Sequence, residues 1–284
     1  MGSIAPSKVS QFVVGHRGNS GNPLNSRFVE NTIPSFESAF SLGADGIELD
    51  VHLTPDGHLV VVHDDTFIPN RPFFTNGLNE TKLISEYTLQ ELKSLRLQGE
   101  LATGDRTDLQ IPTLDEVHIP PGKKLFLELK FLEDVEPSDK TYLKRLVKEV
   151  VGFIERNDLF DQVYVLSFVG TALDEVKKLN PRITTAYNVY QHETDQANSL
   201  DTIRALRSQY GFDIINPPFE QVTDGSIDTI HSEGLGTFPW IWRQTFREEE
   251  PETERLLRSG VDGTINNSPC EALGIRNRLF PVIY

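Results

Sequence analysis

Gly43-Ala44-Asp45-Gly46-Ile47-Glu48-Leu49-Asp50-Val51 decides the reading of this chain, because its second half alternates apolar and acidic residues with period two. On a β-strand, Ile47, Leu49 and Val51 share one face while Glu48 and Asp50 share the other. A solvated sheet edge would also show acids, but an unbroken branched face opposite them is the pattern of a barrel wall with its polar set turned inward. Two histidines flank the stretch. Phe12-Val13-Val14 leads into His16-Arg17-Gly18, and Leu59-Val60-Val61-Val62 leads into His63-Asp64. Such apolar runs read as buried strands, and polar residues at strand ends are where an α/β active site gathers its chemistry. Two imidazoles, with ordinary pKa values of about 6.5, supply acid and base near neutrality. Two neighbouring carboxylates supply a seat for a divalent metal. The pattern points to metal-assisted hydrolysis.

Outward from this stretch, short β-branched runs alternate with amphipathic ones. Strands are expected near 12–16, 45–51, 58–63, 124–130, 162–167, 183–187, 212–216, 235–241 and 262–266. Helices are expected near 32–42, 140–157, 170–179, 198–209, 223–232 and 248–259. Leu143, Leu146, Val147, Val150 and Val151, for example, form one helical stripe. Repeated β-α-β units of this kind fit a closed (β/α)8 TIM barrel or a doubly wound sheet. Candidate catalytic groups follow several different strands, early and late, and only a barrel brings all those strand ends to one face. No glycine-rich dinucleotide or phosphate loop is present. One domain is expected over 12–269, with terminal segments 1–11 and 270–284. An inserted segment at about 64–112, after the second barrel strand, is rich in Pro, Asn, Thr and Gly. Within it Thr88 and Glu91 have the spacing of a helix capping box.

The 284 residues carry 27 Lys and Arg against 42 Asp and Glu, a formal charge of −15. That argues against nucleic acid and against an anionic membrane as partners. The acid is expected to serve mainly solubility, with runs such as Arg247-Glu248-Glu249-Glu250 exposed. The lone Cys270 excludes an internal disulfide and reads as a free thiol. No signal-like or membrane-length apolar run is found, so a soluble cytoplasmic protein without a stable membrane anchor is expected.

Taken together, His16-Arg17-Gly18, Glu30-Asn31-Thr32, the 43–51 stretch, Thr54-Pro55-Asp56-Gly57 and Val62-His63-Asp64 resemble the glycerophosphodiester phosphodiesterases. The resemblance continues through Ile111-Pro112-Thr113-Leu114-Asp115-Glu116-Val117, Leu127-Glu128-Leu129-Lys130, Leu166-Ser167-Phe168, Asn216-Pro217, Trp240 and Gly260-Val261-Asp262-Gly263. It implies a TIM barrel with a small insertion. It also implies hydrolysis of small glycerophosphodiesters, such as glycerophosphocholine, to glycerol 3-phosphate and an alcohol. Asn22-Pro23-Leu24-Asn25 resembles eukaryotic cytosolic glycerophosphocholine phosphodiesterases. The chain departs from the family at Ile68-Pro69-Asn70-Arg71-Pro72, where an Arg-Thr-Thr-rich turn is common. It departs again at Asn266-Asn267-Ser268-Pro269, where an acid commonly precedes the proline.

Phosphodiester hydrolysis needs charge neutralisation, a deprotonated nucleophile and a protonated leaving group. Glu48, Asp50 and Glu128 are hard oxygen ligands suited to Mg²⁺ or Ca²⁺. Arg17 can fork onto phosphate oxygens, and Lys130, two after Glu128, adds a point charge. His16 and His63 divide the proton work, one activating water or the glycerol 2-hydroxyl and the other protonating the leaving oxygen. Glu30 is a candidate to orient Arg17 or His16, and Asp64 to fix a histidine or a metal ligand. Asn31 and Thr32 are explained by a helix start. Trp240 and Phe168 are candidate walls for the glycerol or a choline-like head group. His52, His58, His118, His192 and His231 read as surface or structural. The alternative function is a lysophospholipase D, or a phospholyase that stops at the cyclic phosphate, with Phe67, Phe73 and Phe74 as an apolar lip.

Overall fold

The computed structural model describes residues 11–20, 28–67, 82–95, 109–132, 137–138, 140–190, 200–223, 225–241 and 246–281. The 22–25 segment, the 68–72 turn, Phe73, Phe74, His192 and much of the insertion lie outside the described residues. Its strands are β1 (Phe12–Gly15), β2 (Gly46–Leu53), β3 (Leu59–Val61), β4 (Lys124–Leu129), β5 (Val163–Ser167), β6 (Thr184–Asn188), β7 (Ile214–Asn216) and β8 (Gly263–Asn266). Its helices are α1 (Ile33–Ser41), α2 (Leu89–Ser94), α3 (Lys140–Arg156), α4 (Gly170–Leu179), α5 (Leu200–Tyr210), α6 (Ser226–Ser232), α7 (Phe246–Ser259) and α8 (Pro269–Leu279).

The strand carrying Glu48 and Asp50 lies between β1 and β4, parallel to both. Parallel pairing continues through β5, β6 and β7 on one side and reaches β8 on the other. Between β7 and β8, residues 236–240 bridge Ile214 through Gly236 and Ile265 through Trp240. Ile215 N–H donates to Gly236 (3.0 Å) and Ile265 N–H to Pro239 (3.0 Å), so the curled sheet meets itself there. β3 is antiparallel to the far end of β2 and stands off the ring. The sequence reading made 58–63 a strand without assigning its direction. The tight Thr54–Gly57 turn, with Gly57 at φ 87°, folds it back as a hairpin.

Period two sorts the side chains. Outward-facing Ile47, Leu49, Val51, Leu125, Leu127 and Leu129 are buried under α1 and α3, whose Phe36, Ala39, Leu146, Val147 and Val150 join the same core. Inward, Val14, Phe126, Leu166, Ala186, Ile214, Phe238 and Ile265 plug the barrel. Phe126 is fully buried, which contributes on the order of 3 kcal/mol. Two residues further along several of these strands the inward positions change character, to His16, Glu128, Phe168, Asn188, Asn216 and Trp240. The plug is therefore the floor of a cleft.

The local signals explain most elements. Pro34 stands at the start of α1, and Thr88 with Glu91 forms the capping box of α2, with Thr88 N–H donating to Glu91 Oε2 at 2.7 Å. α8 was not expected. Its Ala272, Leu273 and Ile275 are buried, and Arg276 Nη1 pairs with Asp45, but its apolar positions form no regular stripe. Phe67 is buried among Val62, Ile84, Tyr87 and Ile111, so it is no part of an exposed lip. Glu249 corrects the reading of 247–250 as a solvated run: it faces inward and is 2% exposed. Cys270 is exposed. Among the described residues no helix is long and apolar enough to cross a membrane.

Candidate active site

A cleft of about 300 Å³ opens at the C-terminal ends of the strands. One side is lined by His16, Arg17, Glu48, Asp50, His63, Glu128 and Lys130. The other is lined by Leu166, Phe168, Asn188, Tyr190, Trp240 and Ile265. All the site residues expected from sequence thus either line one cleft or contact residues that do.

Glu48 and Asp50 come from β2 and Glu128 from its neighbour β4, where Asp50 and Glu128 are register partners. Each offers a carboxylate oxygen, and these oxygens lie within 4.8 Å of one another. All three side chains are buried. Burial, then Asp50 and Glu128, push the Glu48 carboxyl well above its ordinary value. Burial also works against ionised Asp50, but His63, Arg17, Lys130 and a hydrogen bond from Asn31 outweigh it and hold that carboxyl down. Like charges this close, on an all-oxygen donor set, form a seat that fits a hard divalent cation.

Arg17 stands in left-handed backbone geometry, φ 53°, followed by Gly18 at φ 89°. Such a conformation costs a non-glycine residue about 1–2 kcal/mol. It turns the Arg17 N–H onto Glu48 Oε2 (3.0 Å) and its carbonyl toward Asn31 N–H and the Ser35 hydroxyl. Gly18 has no room for a side chain, since a Cβ would lie 2.4 Å from Ser35 Oγ. The guanidinium donates to Glu30 Oε1 at 2.8 Å and lies 3.5 Å from Asp50 Oδ2. Lys130 donates to Glu128 Oε1 at 2.9 Å and lies 4.0 Å from Asp50.

The two histidines have different partners. His16 Nδ1 lies 2.6 Å from Asn267 Oδ1, and its Nε2 lies 3.8 Å from Glu48. Burial, then Arg17, lowers its pKa to about 4. His63 is carried by the hairpin rather than the ring, and its Nδ1 lies 2.8 Å from Asp64 Oδ1. Burial, then Arg17, lowers its pKa well below the usual value. His52 is buried, with its ring nitrogen 3.5 Å from the His63 carbonyl.

Several contributors escaped the sequence reading. Asn31 does not cap α1; at φ 55° it donates to Asp50 Oδ2 at 2.8 Å, and Thr32 bonds Val29 O instead. Asn188 donates to Glu128 Oε2 (3.0 Å), and Asn216 donates to Asn188 (3.2 Å) while receiving Phe238 N–H. Tyr190 packs on Phe168 with centroids 4.5 Å apart, and Phe168 meets Trp240 edge-on at 6.2 Å. Period two was the available signal, since Asn188 and Tyr190 continue the inward face of β6.

A parallel barrel that gathers three buried carboxylates, two imidazoles and two cations at its strand ends has the layout of a hydrolase acting on an anionic substrate. Comparison with known proteins narrows the class. Residues 16–271 match the model of the Glycerophosphoryl diester phosphodiesterase family. A glycerophosphodiester phosphodiesterase of Caldanaerobacter subterraneus subsp. tengcongensis is 34% identical over 91% of this chain and 94% of its own. One from Bacillus altitudinis is 32% identical over 94% of this chain and 98% of its own. An Oleispira antarctica phosphodiesterase, solved in complex with the product sn-glycerol-3-phosphate, superposes with a TM-score of 0.71 at 23% identity, over 93% of this chain and 96% of that one. The chain belongs to the glycerophosphoryl diester phosphodiesterase family, and with it to the phosphoric diester hydrolases.

Proposed function

We propose that this chain hydrolyses glycerophosphodiesters with a choline-like alcohol, using a divalent cation held by Glu48, Asp50 and Glu128 and proton transfer by His16 and His63. The observation that carries the reading is the convergence of three buried carboxylates within 4.8 Å, in a cleft that both imidazoles line. Mg²⁺ and Ca²⁺ are the cations such oxygen ligands select. A cation there supplies positive charge to a phosphoryl oxygen. Arg17 binds a second phosphoryl oxygen, and Lys130 adds positive charge while holding Glu128 in place.

The partners of the two imidazoles divide the proton work. His16 bonds a neutral amide and is held uncharged by burial and Arg17, which leaves a nitrogen lone pair to take the proton of the attacking group. That group is either water directly or the glycerol 2-hydroxyl, whose cyclic phosphate a water then opens. His63 bonds the Asp64 carboxylate, the partner that supports a protonated ring against the opposing burial and Arg17, and it takes the donor role toward the leaving alkoxide. Phe168, Tyr190 and Trp240 face the alcohol, where aromatic rings attract a quaternary ammonium group. The Oleispira antarctica protein was solved in complex with the product sn-glycerol-3-phosphate, and the same product is expected here.

A panel of glycerophosphodiesters (choline, ethanolamine, inositol, glycerol) assayed with chelator, Mg²⁺ and Ca²⁺ tests the reading. Turnover is expected to vanish in chelator, return with cation and be fastest with choline. Full activity in chelator overturns the role given to the carboxylates. Phosphorus NMR that shows only a cyclic phosphate moves the reaction to phospholyase chemistry.

A further inference from the structure

Glu249 is a buried acid that the mechanism above does not use. It is the fourth residue of α7, between an exposed Glu248 and a half-buried Glu250, yet it is 2% exposed. The same inward face of α7 carries Thr253, Leu256 and Leu257, all at most 1% exposed. Apolar side chains would fill this face without the cost of burying a carboxyl. The acid lies against the turn between β8 and α8. Both its oxygens are enclosed without a hydrogen bond of ordinary geometry, and the donors that face them are the N–H groups of Asn267 and Ser268 and the Asn267 side-chain amide. Thr253 holds the preceding residue, accepting from Asn266 Nδ2 at 2.8 Å. α7 therefore grips the turn that presents Asn267 to His16, 2.6 Å away.

A primary amide has a donor end and an acceptor end, and either can meet an imidazole. Which end points at His16 decides the tautomer. With Oδ1 toward the ring, Nδ1 carries the proton and Nε2 is bare on the cleft side. With the NH₂ toward the ring, Nδ1 must be bare and Nε2 protonated, which removes the base. A carboxyl behind Asn267 favours the first arrangement, because it attracts the amide NH₂ in either of its own protonation states. Resting on the acid–base reading of His16, we propose that Glu249 is a positioning residue that fixes the Asn267 amide and, through it, the proton-accepting tautomer of His16.

The test is a ¹⁵N spectrum of the His16 imidazole at about pH 8, assigned against His16→Ala, with steady-state kinetics on Glu249→Leu and Glu249→Gln. Wild type is expected to carry the proton on Nδ1. Glu249→Leu is expected to lose that preference and to lower kcat about tenfold with KM little changed, the size usual for a partner of a catalytic group. Glu249→Gln retains a carbonyl oxygen that accepts from the amide, so it should restore both tautomer and rate. A wild-type proton on Nε2 overturns the proposal. So does Glu249→Leu with unchanged tautomer and rate, or Glu249→Gln as impaired as Glu249→Leu. Should Glu249→Leu fail to fold, the wild-type spectrum and the Gln variant still decide. If His16→Ala retains turnover, the acid–base reading falls, while the tautomer still reports on Glu249.

Discussion

The two sides of the cleft are built from different chemistry on differently made strands. The β1–β2–β4 side carries Arg17, Glu48, Asp50, Glu128 and Lys130, and its three carboxylates stand on the longest ladder, six register pairs joining β2 to β4. The β5–β8 side carries Phe168, Asn188, Tyr190 and Trp240, and Trp240 sits on a segment attached by isolated bridges. Charges that must stay within a few ångströms of one another despite repulsion need the stiffer support. Rings that accommodate an alcohol do not. The contrast teaches that phosphate chemistry and alcohol selection are mounted separately, and they should fail separately.

The hardest blow to the charged side is loss of a proton carrier. His16→Ala and His63→Ala are each expected to lower kcat about 10²–10⁴-fold with circular dichroism unchanged. A near-normal rate for both would break the division of the cleft at its centre. On the aromatic side, Trp240→Ala is expected to lower kcat/KM for glycerophosphocholine about tenfold relative to glycerophosphoethanolamine, the worth of a cation–π contact of 1–2 kcal/mol. An equal loss on both substrates would mean that the wall selects nothing. The smallest effect concerns stability. Burial raises Glu249 from 4.5 to about 7, so the folded state holds a proton that the unfolded state releases between those values. Stability from this group is therefore full below pH 4.5 and lost as pH rises through 7. Glu249→Gln should raise unfolding free energy by about 1–3 kcal/mol at pH 8 and by little at pH 4.5, measured by urea denaturation. A gain independent of pH would show that the carboxyl does not titrate in place.

Much of this contrast was legible in the chain. Ile47-Glu48-Leu49-Asp50-Val51 announced both the strand and its inward acids, because period two leaves few other readings. The aromatic side was half legible: Phe168 and Trp240 stood out, while Asn188 and Tyr190 did not, since Asn followed by an irregular segment reads as a turn. Asn31 looked like a helix cap because capping explains Asn locally, whereas its partner Asp50 is 19 residues on. Asn267 acts on His16 across 251 residues, a pairing that local pattern cannot carry. Glu249 hid among acids because a charged run has no visible face until its helix is docked. α8 hid because it lacks a regular apolar stripe.

The seam at 236–240 has one more consequence. Its backbone bonds both neighbouring strands, but the pairing is interrupted at Phe238, whose N–H goes to the Asn216 side chain, and at Pro239, which has no N–H. An interrupted segment opens at lower free energy than the long strands beside it. Amide hydrogen exchange should therefore run fastest, among the ring strands, around Gly236 and Trp240 and slowest along β2 and β4. The wall that meets the departing alcohol could then loosen, and let product out, in openings that leave the carboxylate seat closed.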